Sequence, residues 1–253
     1  MALGLDLGSQ RVKAVVLSQN QVKKRKCWQT VNFFNQYLEK KGEALHLVNF
    51  PLFEEKVALT GYGSTFLKVA QGEKVTEITA HLKGTVYLLG GKLSDFTLLD
   101  VGGQDIKVIK VREGRVVDFL TNDRCAASSG SFLQHMANFL KVDLSFLMNQ
   151  YKNPVELNTT CSVFAETEII EKLSRGTSLE SLCAGINQAL YLRIKPFLLR
   201  LPSEVVVLSG GGGNNPALAH FLKKDLKVKV EINPYPEYTG ALGCALIAEE
   251  GRD

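Results

Sequence analysis

Two cysteines, Cys125 and Cys161, stand in settings that favour chemistry. Each lies just ahead of a stretch with helical apolar spacing, Cys125 in NDRCAASSGSFLQHM and Cys161 in NTTCSVFAETEII. A thiol at a helix start faces unpaired backbone N–H groups and the positive end of the helix dipole, which favours the thiolate and therefore metal binding or redox chemistry. Two thiolates are half of what a 4Fe-4S cluster or an all-cysteine zinc site needs. A second copy of the chain could supply the other half.

Other interpretations of these cysteines remain open. They could be small buried residues that pack at helix starts, or the ligands of a zinc ion that bridges a dimer. The chain has five cysteines, an odd number without a disulfide-framework spacing, which indicates free thiols or metal ligands in a reducing compartment. Cys183 and Cys244 are predicted to be core residues on helices, and Cys27 has no predicted role.

Glycine-containing turns follow three predicted strands, and each turn could hold a phosphate. In the first, DLGSQ at residues 6–10, the N–H groups around Gly8 and Ser9 can face a phosphate, and Asp6 can hold Mg²⁺ through water. A structural alternative for Gly8 is a hairpin turn that needs a positive φ. The first turn alone therefore does not establish a nucleotide site.

The second turn, DVGGQD at residues 100–105, repeats the acid and the glycines. It adds Gln104 and Asp105, an amide and a carboxylate that could orient water near a terminal phosphate. The third turn, SGGGGNN at residues 209–215, leads into a predicted helix, so its backbone could lie flat against a nucleotide. Three such turns in one chain predict nucleotide binding.

Strands are predicted to hold these turns in place. Residues 4–17 alternate apolar and polar residues around Gly8, as the two strands of a hairpin do. Residues 96–101 and 106–111 flank the second turn in the same way, about 95 residues later, which predicts two similar lobes. Further predicted strands and turns lie at residues 57–59, 60–63, 113–114 and 204–208.

The second half is otherwise predicted to be helical until its last strand. Apolar residues recur at helical spacing after both cysteines, and Gly176 is a predicted stop for the second of these helices. Residues 182–192 form a third predicted helix that closes near Pro196, and Pro216 fits the first turn of another. The segment GALGCALIAEE predicts a final apolar helix. Residues 19–55 give no functional prediction.

Composition limits the classes of protein. The chain has 253 residues, a net charge of +4 and the apolar and charged fractions of a soluble globular protein. Neither a leader pattern nor a run of about 18 apolar residues is present, so we expect a cytoplasmic protein without a membrane partner. The basic run at residues 23–26 predicts a solvated turn, not a nucleic-acid surface. Other polar residues predicted at the surface, at helix flanks or at a helix N-terminus are His46, His81, His135, His220, Glu166 and Glu168.

The motifs DLGSQ, TGYG, DVGGQDIK, NDRCAASSG, CSVFAETE, SGGGGNN and PEYTGALGCAL occur in this order between residue 4 and about residue 248. Together they resemble the ATP-dependent activators of 2-hydroxyacyl-CoA dehydratases and the ATPase subunits of benzoyl-CoA reductase, including reductases of double-cubane cluster proteins. The resemblance implies an α/β protein with the actin-like, sugar-kinase type of ATPase fold, two ribonuclease-H-like lobes with a nucleotide in the interlobe cleft. The lobes would span residues 1–94 and 95–239, and a helix at residues 240–253 would pack back on the first.

The resemblance also implies cofactors and partners. These are ATP or ADP, Mg²⁺, a homodimer that shares one 4Fe-4S cluster, an iron–sulfur acceptor protein, and a ferredoxin or flavodoxin as electron donor. Cys125 and Cys161 would bind the cluster. Asp6 and Asp105 would hold Mg²⁺ through water, and Gln104 would act with both aspartates near the terminal phosphate. The residues that would contact the nucleotide are Gly8, Ser9, Gln10, Gly102, Gly103, Gly210, Gly211, Gly212, Gly213 and Asn214.

The sequence departs from the family pattern in two places. Where the family has CAAGTGRFL, this chain has CAASSGSFL, so Ser128, Ser129 and Ser131 stand in place of Gly, Thr and Arg. The loop beside the cluster loses a positive charge, which bears on the cluster potential and on the partner. Gln10 and Arg11 replace small hydroxyl residues after the first turn, which bears on nucleotide affinity.

Functions from three classes remain open. The first is an ATP-dependent electron donor, in which ATP binding closes the protein around a shared cluster and presents it to an iron–sulfur acceptor. The second is a small-molecule kinase, for example for an amino sugar, which would need no paired cysteines. The third is a nucleotide-dependent redox sensor.

Overall fold

The computed structural model describes residues 1–42, 44–52, 54, 56–68, 72–122, 129–157 and 162–251. The chain divides into two compact units, the first made of Met1–Leu93 with Asn233–Asp253 and the second of Ser94–Ile232. Each unit is built around a five-stranded sheet. No helix in the described part of the chain combines the length and the apolar character needed to cross a membrane.

The secondary structure alternates between strands and helices along both units. The strands are β1 (Ala2–Leu7), β2 (Arg11–Ser18), β3 (Gln21–Gln29), β4 (Leu38–Lys41), β5 (Ala44–Leu47), β6 (Lys56–Thr60), β7 (Leu67–Lys68), β8 (Gly72–Lys74), β9 (Phe96–Val101), β10 (Ile106–Arg112), β11 (Arg115–Thr121), β12 (Val205–Ser209) and β13 (Lys229–Ile232). The helices are α1 (Thr30–Tyr37), α2 (Glu77–Leu88), α3 (Gly130–Leu140), α4 (Leu144–Met148), α5 (Ser162–Ser174), α6 (Leu179–Arg200), α7 (Pro216–Leu226) and α8 (Thr239–Glu250).

The sheet of the first unit has the order β3-β2-β1-β6-β8. Its central strand β1 is antiparallel to β2 and parallel to β6, so the predicted first hairpin is confirmed. Leu3, Leu5 and Leu7 of β1 are fully buried in one core cluster. The other face of β1 packs against α8, and a Cβ at Gly4 would lie 3.0 Å from the Cα of Ala245. The helix therefore sits directly on the strand that leads into the first turn.

Residues 19–55, for which no function was predicted, form part of the hydrophobic core of the first unit. Trp28, Phe33, Tyr37 and Phe50 form an aromatic cluster with ring centroids 5.3–6.0 Å apart. The prediction of a solvated turn for the basic run at residues 23–26 is wrong, because these residues lie in strand β3. They are exposed on the edge strand of the sheet, where charged side chains discourage pairing with other chains.

The sheet of the second unit has the order β11-β10-β9-β12-β13, which repeats the order and strand directions of the first sheet from β3 to β6. The hairpin β9–β10 was predicted, whereas β11 and β13 were missed, so the second half is less helical than predicted. Strand β11 lies at an edge and is exposed along most of its length, which removes the apolar alternation that signals a strand. Strand β13 has four residues, too few for a pattern.

Helix α6 was predicted to end near Pro196, but it continues to Arg200. A proline inside a helix removes the hydrogen bond to the carbonyl of residue i−4, here Leu192. Both Pro196 and Leu192 are exposed, so water can satisfy that carbonyl. Leu198 and Leu201 beyond the proline are buried in the core, which favours the continued helix.

The helices that follow the two cysteines start at different distances from them. Helix α5 begins at Ser162, next to Cys161. Helix α3 begins only at Gly130, and three residues separate its N-cap, Ser129, from Cys125 in the sequence. Both cysteines lie outside the described residues. Because the effect of a helix dipole fades within the first turn, we expect it to favour a thiolate at Cys161 more than at Cys125. Glu166 is also past the first turn of α5, contrary to the prediction.

Candidate nucleotide site

The first glycine turn joins the central strand of the first unit to β2. Asp6 stands next to the end of β1 and is 7% exposed. Its register partner across the hairpin is Lys13, and the Lys13 Nζ lies 3.1 Å from the Asp6 Oδ2. Sequence reasoning singled out Asp6 but missed Lys13. A carboxylate already neutralised by an ammonium is a poor direct ligand for a dication, so contact with Mg²⁺ through water suits Asp6 better than direct coordination.

The glycines around Asp6 are required by close packing. Gly8 does not have a positive φ, so the alternative explanation of Gly8 as a positive-φ hairpin residue is wrong. A Cβ at Gly8 would instead lie 2.9 Å from the carbonyl oxygen of Arg11. Gly61 has a φ of 88°, and a Cβ there would lie 2.8 Å from the Asp6 Oδ1. A side chain at residue 8 or residue 61 would therefore collide with the turn or with the Asp6 carboxylate.

The start of α1 supports the first turn from behind. The Thr30 hydroxyl donates to the carbonyl of Gly8 at 2.7 Å, and the Thr30 N–H donates to the carbonyl of Gln10 at 3.0 Å. Because these carbonyls are held on one side, the turn has a fixed shape. Ser9 is partly exposed and Gln10 is exposed.

A buried histidine lies close to the same carboxylate. His81 of α2 is 5% exposed, so its predicted place at the surface or a helix flank is corrected to a buried one. A Cβ at Gly240 would lie 2.8 Å from the His81 Nε2 and 3.5 Å from the Asp6 Oδ2. Gly240 therefore leaves room for the imidazole and the carboxylate, which no spacing in the sequence had linked.

The second turn has the same construction in the second unit. Asp100 at the end of β9 is 2% exposed and is the register partner of Lys107, which is 6% exposed. The Lys107 Nζ lies 2.6 Å from the Asp105 Oδ2 and 3.9 Å from the Asp100 Oδ2. The Gly102 N–H donates to the Asp105 carbonyl at 2.9 Å and closes the turn. Asp105, whose side chain is 44% exposed, is thus the accessible carboxylate of this turn.

The two turns share more of their sequence than the acid and the glycines that the motifs predicted. Residues 6–13 read DLGSQRVK and residues 100–107 read DVGGQDIK, so an aspartate, a glycine, a glutamine and a lysine recur at the same spacing. The spacing of seven residues makes each lysine the cross-strand partner of its aspartate. Alignment of the two segments would have identified Lys13 and Lys107.

The third turn lies against the second. Ser209 of β12 is the register partner of Asp100 in β9. Gly210 has a φ of 78°, and a Cβ there would lie 2.5 Å from the Val101 carbonyl oxygen. A Cβ at Gly211 would meet no atom within 4 Å, whereas one at Gly212 would lie 3.0 Å from the Val101 Cβ. The turn therefore packs on one side and is open above Gly211, as a backbone that receives a ligand must be.

The two asparagines after these glycines have different environments. Asn214, the predicted adenosine contact, is exposed. Asn215 is fully buried, and its side chain caps α7 by accepting from the Leu218 N–H at 2.9 Å. Its amide donates to the Asn187 Oδ1 at 2.9 Å. Asn215 thus fixes the turn to α6, and Asn214 is free of this structural task.

The second turn is also bonded to the start of α3. The Gly130 N–H donates to the Gly102 carbonyl at 2.9 Å, and the Ser131 N–H donates to the Gly103 carbonyl at 2.8 Å. The Ser129 hydroxyl donates to the same Gly103 carbonyl at 2.9 Å. These bonds use the carbonyls of Gly102 and Gly103, while the Gly102 N–H is bonded to Asp105 within the turn.

Two of the described cysteines, Cys183 and Cys244, are poor metal ligands. Cys183 and Cys244 are fully buried, which confirms their prediction as core residues on helices. Burial, and the nearby Glu180 charge second, raise the pKa of Cys183 to about 11, and burial raises the pKa of Cys244 well above its usual value. Both stay protonated thiols at neutral pH. Among the described residues no group of three or more His, Cys, Asp and Glu side chains could hold a metal ion.

A polar contact joins helices α3 and α5. The His135 Nε2 lies 2.7 Å from the Glu166 Oε1, and both side chains are partly exposed. The predicted surface position of His135 is thus confirmed, and Glu166 has a partner within its own chain. This contact links the helices that follow the two cysteine segments.

Comparison with solved structures defines the class of fold. The activator of the 2-hydroxyisocaproyl-CoA dehydratase from Clostridium difficile, with bound ADPNP, superposes with a TM-score of 0.82 and 29% identity over 100% of this chain and 98% of the activator. A ROK family glucokinase from Streptomyces griseus, in complex with glucose and AMPPNP, superposes with a TM-score of 0.57 and 10% identity over 99% of both chains. The chain therefore has the predicted actin-like, sugar-kinase type of ATPase fold, and the glucokinase likeness extends to the fold alone.

The sequence assigns the chain within that class. Residues 3–248 match the BadF/BadG/BcrA/BcrD ATPase family, and the chain belongs to this family. The (R)-2-hydroxyglutaryl-CoA dehydratase activating ATPase of Acidaminococcus fermentans is 33% identical over 253 residues, which cover 97% of this chain and 96% of that relative. The resemblance drawn from the motifs is thereby confirmed.

Proposed function

We propose that this chain is an ATP-dependent, low-potential electron donor that works as a homodimer and hydrolyses ATP to reduce an iron–sulfur partner protein. The observation that carries the proposal is the repeated Asp–Lys hairpin turn in a chain of this ATPase family. The relative named a dehydratase activating ATPase supports the choice of a dehydratase-type acceptor. A double-cubane cluster protein is the other acceptor of the proposal, and a ferredoxin or flavodoxin is the proposed donor.

The glycine turns supply the nucleotide contacts in this proposal. The N–H groups of Gly8, Ser9 and Gln10 would face phosphate oxygens, as would that of Gly103. The Gly102 N–H stays bonded to the Asp105 carbonyl, so Gly102 would shape the phosphate turn. Gly210 to Asn214 would lie along the adenosine. Asp6 and Asp105 would hold Mg²⁺ through its water molecules, which fits carboxylates that are already paired with Lys13 and Lys107. Mg²⁺ would neutralise charge on the phosphates.

Gln104 and Asp105 would place the attacking water. Gln104 follows the Gly102–Gly103 turn directly, and an amide can both donate to and accept from a water molecule. Lys107 holds the Asp105 carboxylate at 2.6 Å and so fixes its direction. These residues would orient water for attack on the terminal phosphate, with the turn N–H groups stabilising the charge that develops there.

Cys125 and Cys161 would bind one 4Fe-4S cluster together with the same pair from a second subunit. The chemistry of the donors supports this assignment, because such clusters are held by four cysteine thiolates and each chain offers two. Cys183 and Cys244 do not compete, since both are buried and protonated. The cluster would supply one-electron transfer at low potential.

An ATPase and electron-transfer assay tests the proposal. We expect Asp105→Asn to lower kcat for ATP hydrolysis by about 100-fold, the size of a lost positioning and charge contribution. Asp118→Asn, on the exposed strand β11 of the same unit, is the matched control and should leave kcat unchanged. The wild type should reduce a dehydratase-type iron–sulfur acceptor only when ATP is present. Reduction at equal rate without ATP would contradict the proposal.

A further inference from the structure

The first turn of α3 is capped by backbone carbonyls of the second glycine turn. A helix leaves its first N–H groups without partners inside the helix. In α3, the N–H groups of Gly130 and Ser131 donate to the carbonyls of Gly102 and Gly103 at 2.9 and 2.8 Å. The turn and the helix therefore share hydrogen bonds, and a shift of the turn must move or break them.

The Gly103 carbonyl receives side-chain hydroxyls as well. The Ser129 hydroxyl donates to it at 2.9 Å, and the Ser131 hydroxyl also donates to it. With the Ser131 N–H, this carbonyl faces three donors, although a carbonyl oxygen has two lone pairs. Ser131 supplies two of these three donors, its N–H and its hydroxyl, so it is the residue tied most closely to this carbonyl.

The joint depends on a close approach at Gly130. A Cβ at Gly130 would lie 3.1 Å from the Gly102 carbonyl oxygen and 3.8 Å from the Cα of Gly103. A side chain at this position would push the helix away from the turn by a few tenths of an ångström. The contact between turn and helix is thus backbone to backbone. Close-packed groups of this kind transmit small displacements to one another.

We propose that Ser131 is a positioning residue that couples the Gly102–Gln104 turn to helix α3, so that a change of nucleotide at the turn alters the first turn of the helix. This inference rests on the proposed function, in which that turn contacts the terminal phosphates. The short serine side chain places its donor at the Gly103 carbonyl. An arginine at this position carries its donors at the end of a long side chain, so the hydroxyl link is a property of this chain.

Hydrogen exchange of the α3 amides tests the coupling directly. The wild type and its variants are measured with and without a non-hydrolysable ATP analogue, whose affinity is determined separately. We expect the analogue to slow exchange at the first turn of α3 in the wild type. In Ser131→Ala this slowing should be about fivefold smaller, the effect of one lost hydrogen bond, with the affinity unchanged. Ser131→Thr keeps the hydroxyl and should restore the effect.

Two further variants control the experiment. Ser145→Ala removes an exposed hydroxyl from α4 in the same unit and should behave as the wild type. Gly130→Ala keeps both hydroxyls but separates helix and turn, and it should also reduce the slowing. An undiminished effect in Ser131→Ala, with the analogue bound, would overturn the coupling through Ser131 and leave the proposed function standing. A wild type that does not bind the analogue would overturn the proposed function and the coupling with it.

Discussion

Asp6 and Lys13 face each other across the first hairpin, where their side chains form an ion pair of 3.1 Å with side-chain exposures of 10% and 16%. The pair sits at the end of a strand that is buried along its whole length. An ion pair in such a place is costly to break, because the remaining charge stays without compensation away from water.

We therefore expect Lys13→Met to lower the free energy of unfolding by about 3 kcal/mol, near the low end for a broken buried pair. Urea unfolding at neutral pH measures this loss. Lys24→Met, which removes an exposed ammonium from β3 of the same unit, is the control and should cost less than about 0.5 kcal/mol. Adding Asp6→Asn to Lys13→Met should recover part of the loss. Equal stability of the two lysine variants would show that the pair does not stabilise the hairpin.

Substitutions of two glycines in the third turn, Gly210 and Gly211, can distinguish backbone strain from contact with a ligand. Gly210→Ala should destabilise the protein by more than Gly176→Ala, although both glycines have a positive φ, because only the Cβ at residue 210 would meet the Val101 carbonyl, at 2.5 Å. The open-space change at residue 176 should cost about 1–2 kcal/mol. Thermal unfolding compares the two variants.

Gly211→Ala should unfold like the wild type but bind ATP more weakly. A Cβ at residue 211 would meet no protein atom within 4 Å, so it would enter only space that the nucleotide is proposed to use. Titration with an ATP analogue measures the affinity. Unchanged affinity together with unchanged stability would argue against adenosine at this turn.

The buried thiols should not react in the folded protein. Burial raises the pKa of Cys183 to about 11 and that of Cys244 well above its usual value, so neither is a thiolate at pH 8. Iodoacetamide at pH 8 should label both residues only after unfolding, as peptide mass spectrometry can establish. Because the folded state favours the protonated thiols, their contribution to stability is present below the unfolded pKa, near 9, and is lost as pH rises through the raised folded pKa, which for Cys183 is about 11. Labelling of the native protein at the unfolded rate would refute this prediction.

Asp225 should contribute to stability only above acidic pH. Hydrogen bonds from Lys195, at 2.6 Å, and from the Tyr191 hydroxyl lower the pKa of Asp225. The folded state thus favours the carboxylate, and its contribution is present above the unfolded pKa of about 4 and is lost as pH falls through the folded value. Asp225→Asn should cost at most about 1 kcal/mol at pH 7, since the pair is partly exposed. If Asp225→Asn lowered the free energy of unfolding more at low pH than at pH 7, this prediction would be wrong.

The hairpins could be predicted from sequence because their alternation is local. Residues 4–17 carry the pattern of two strands that share one buried sheet, and β1 and β2 follow it. The lysines were missed for a different reason. Their role depends on register, since Lys13 and Lys107 meet carboxylates only because each hairpin pairs residues seven positions apart. A comparison of the two turns with each other carries that signal, whereas either turn alone does not.

Helix α6 and the two asparagines show where local rules are overridden. Pro196 is a helix breaker by its own chemistry, yet buried leucines beyond it keep the helix going. Asn214 and Asn215 are the same residue type in sequence, and only the position of the N-cap separates the exposed one from the buried one. His81 was placed at the surface because nothing in its neighbourhood signals that α2 packs against α8.

In the proposed function, two chains share one cluster through Cys125 and Cys161. Native mass spectrometry of anaerobically purified protein can detect this sharing, with Cys183→Ala as the control for cysteine loss in general. We predict a dimer that carries one 4Fe-4S cluster per two chains, cluster loss in Cys125→Ser and in Cys161→Ser, and retention in Cys183→Ala. A monomer that holds the iron by itself, or a dimer in which both serine variants keep the cluster, would contradict the account.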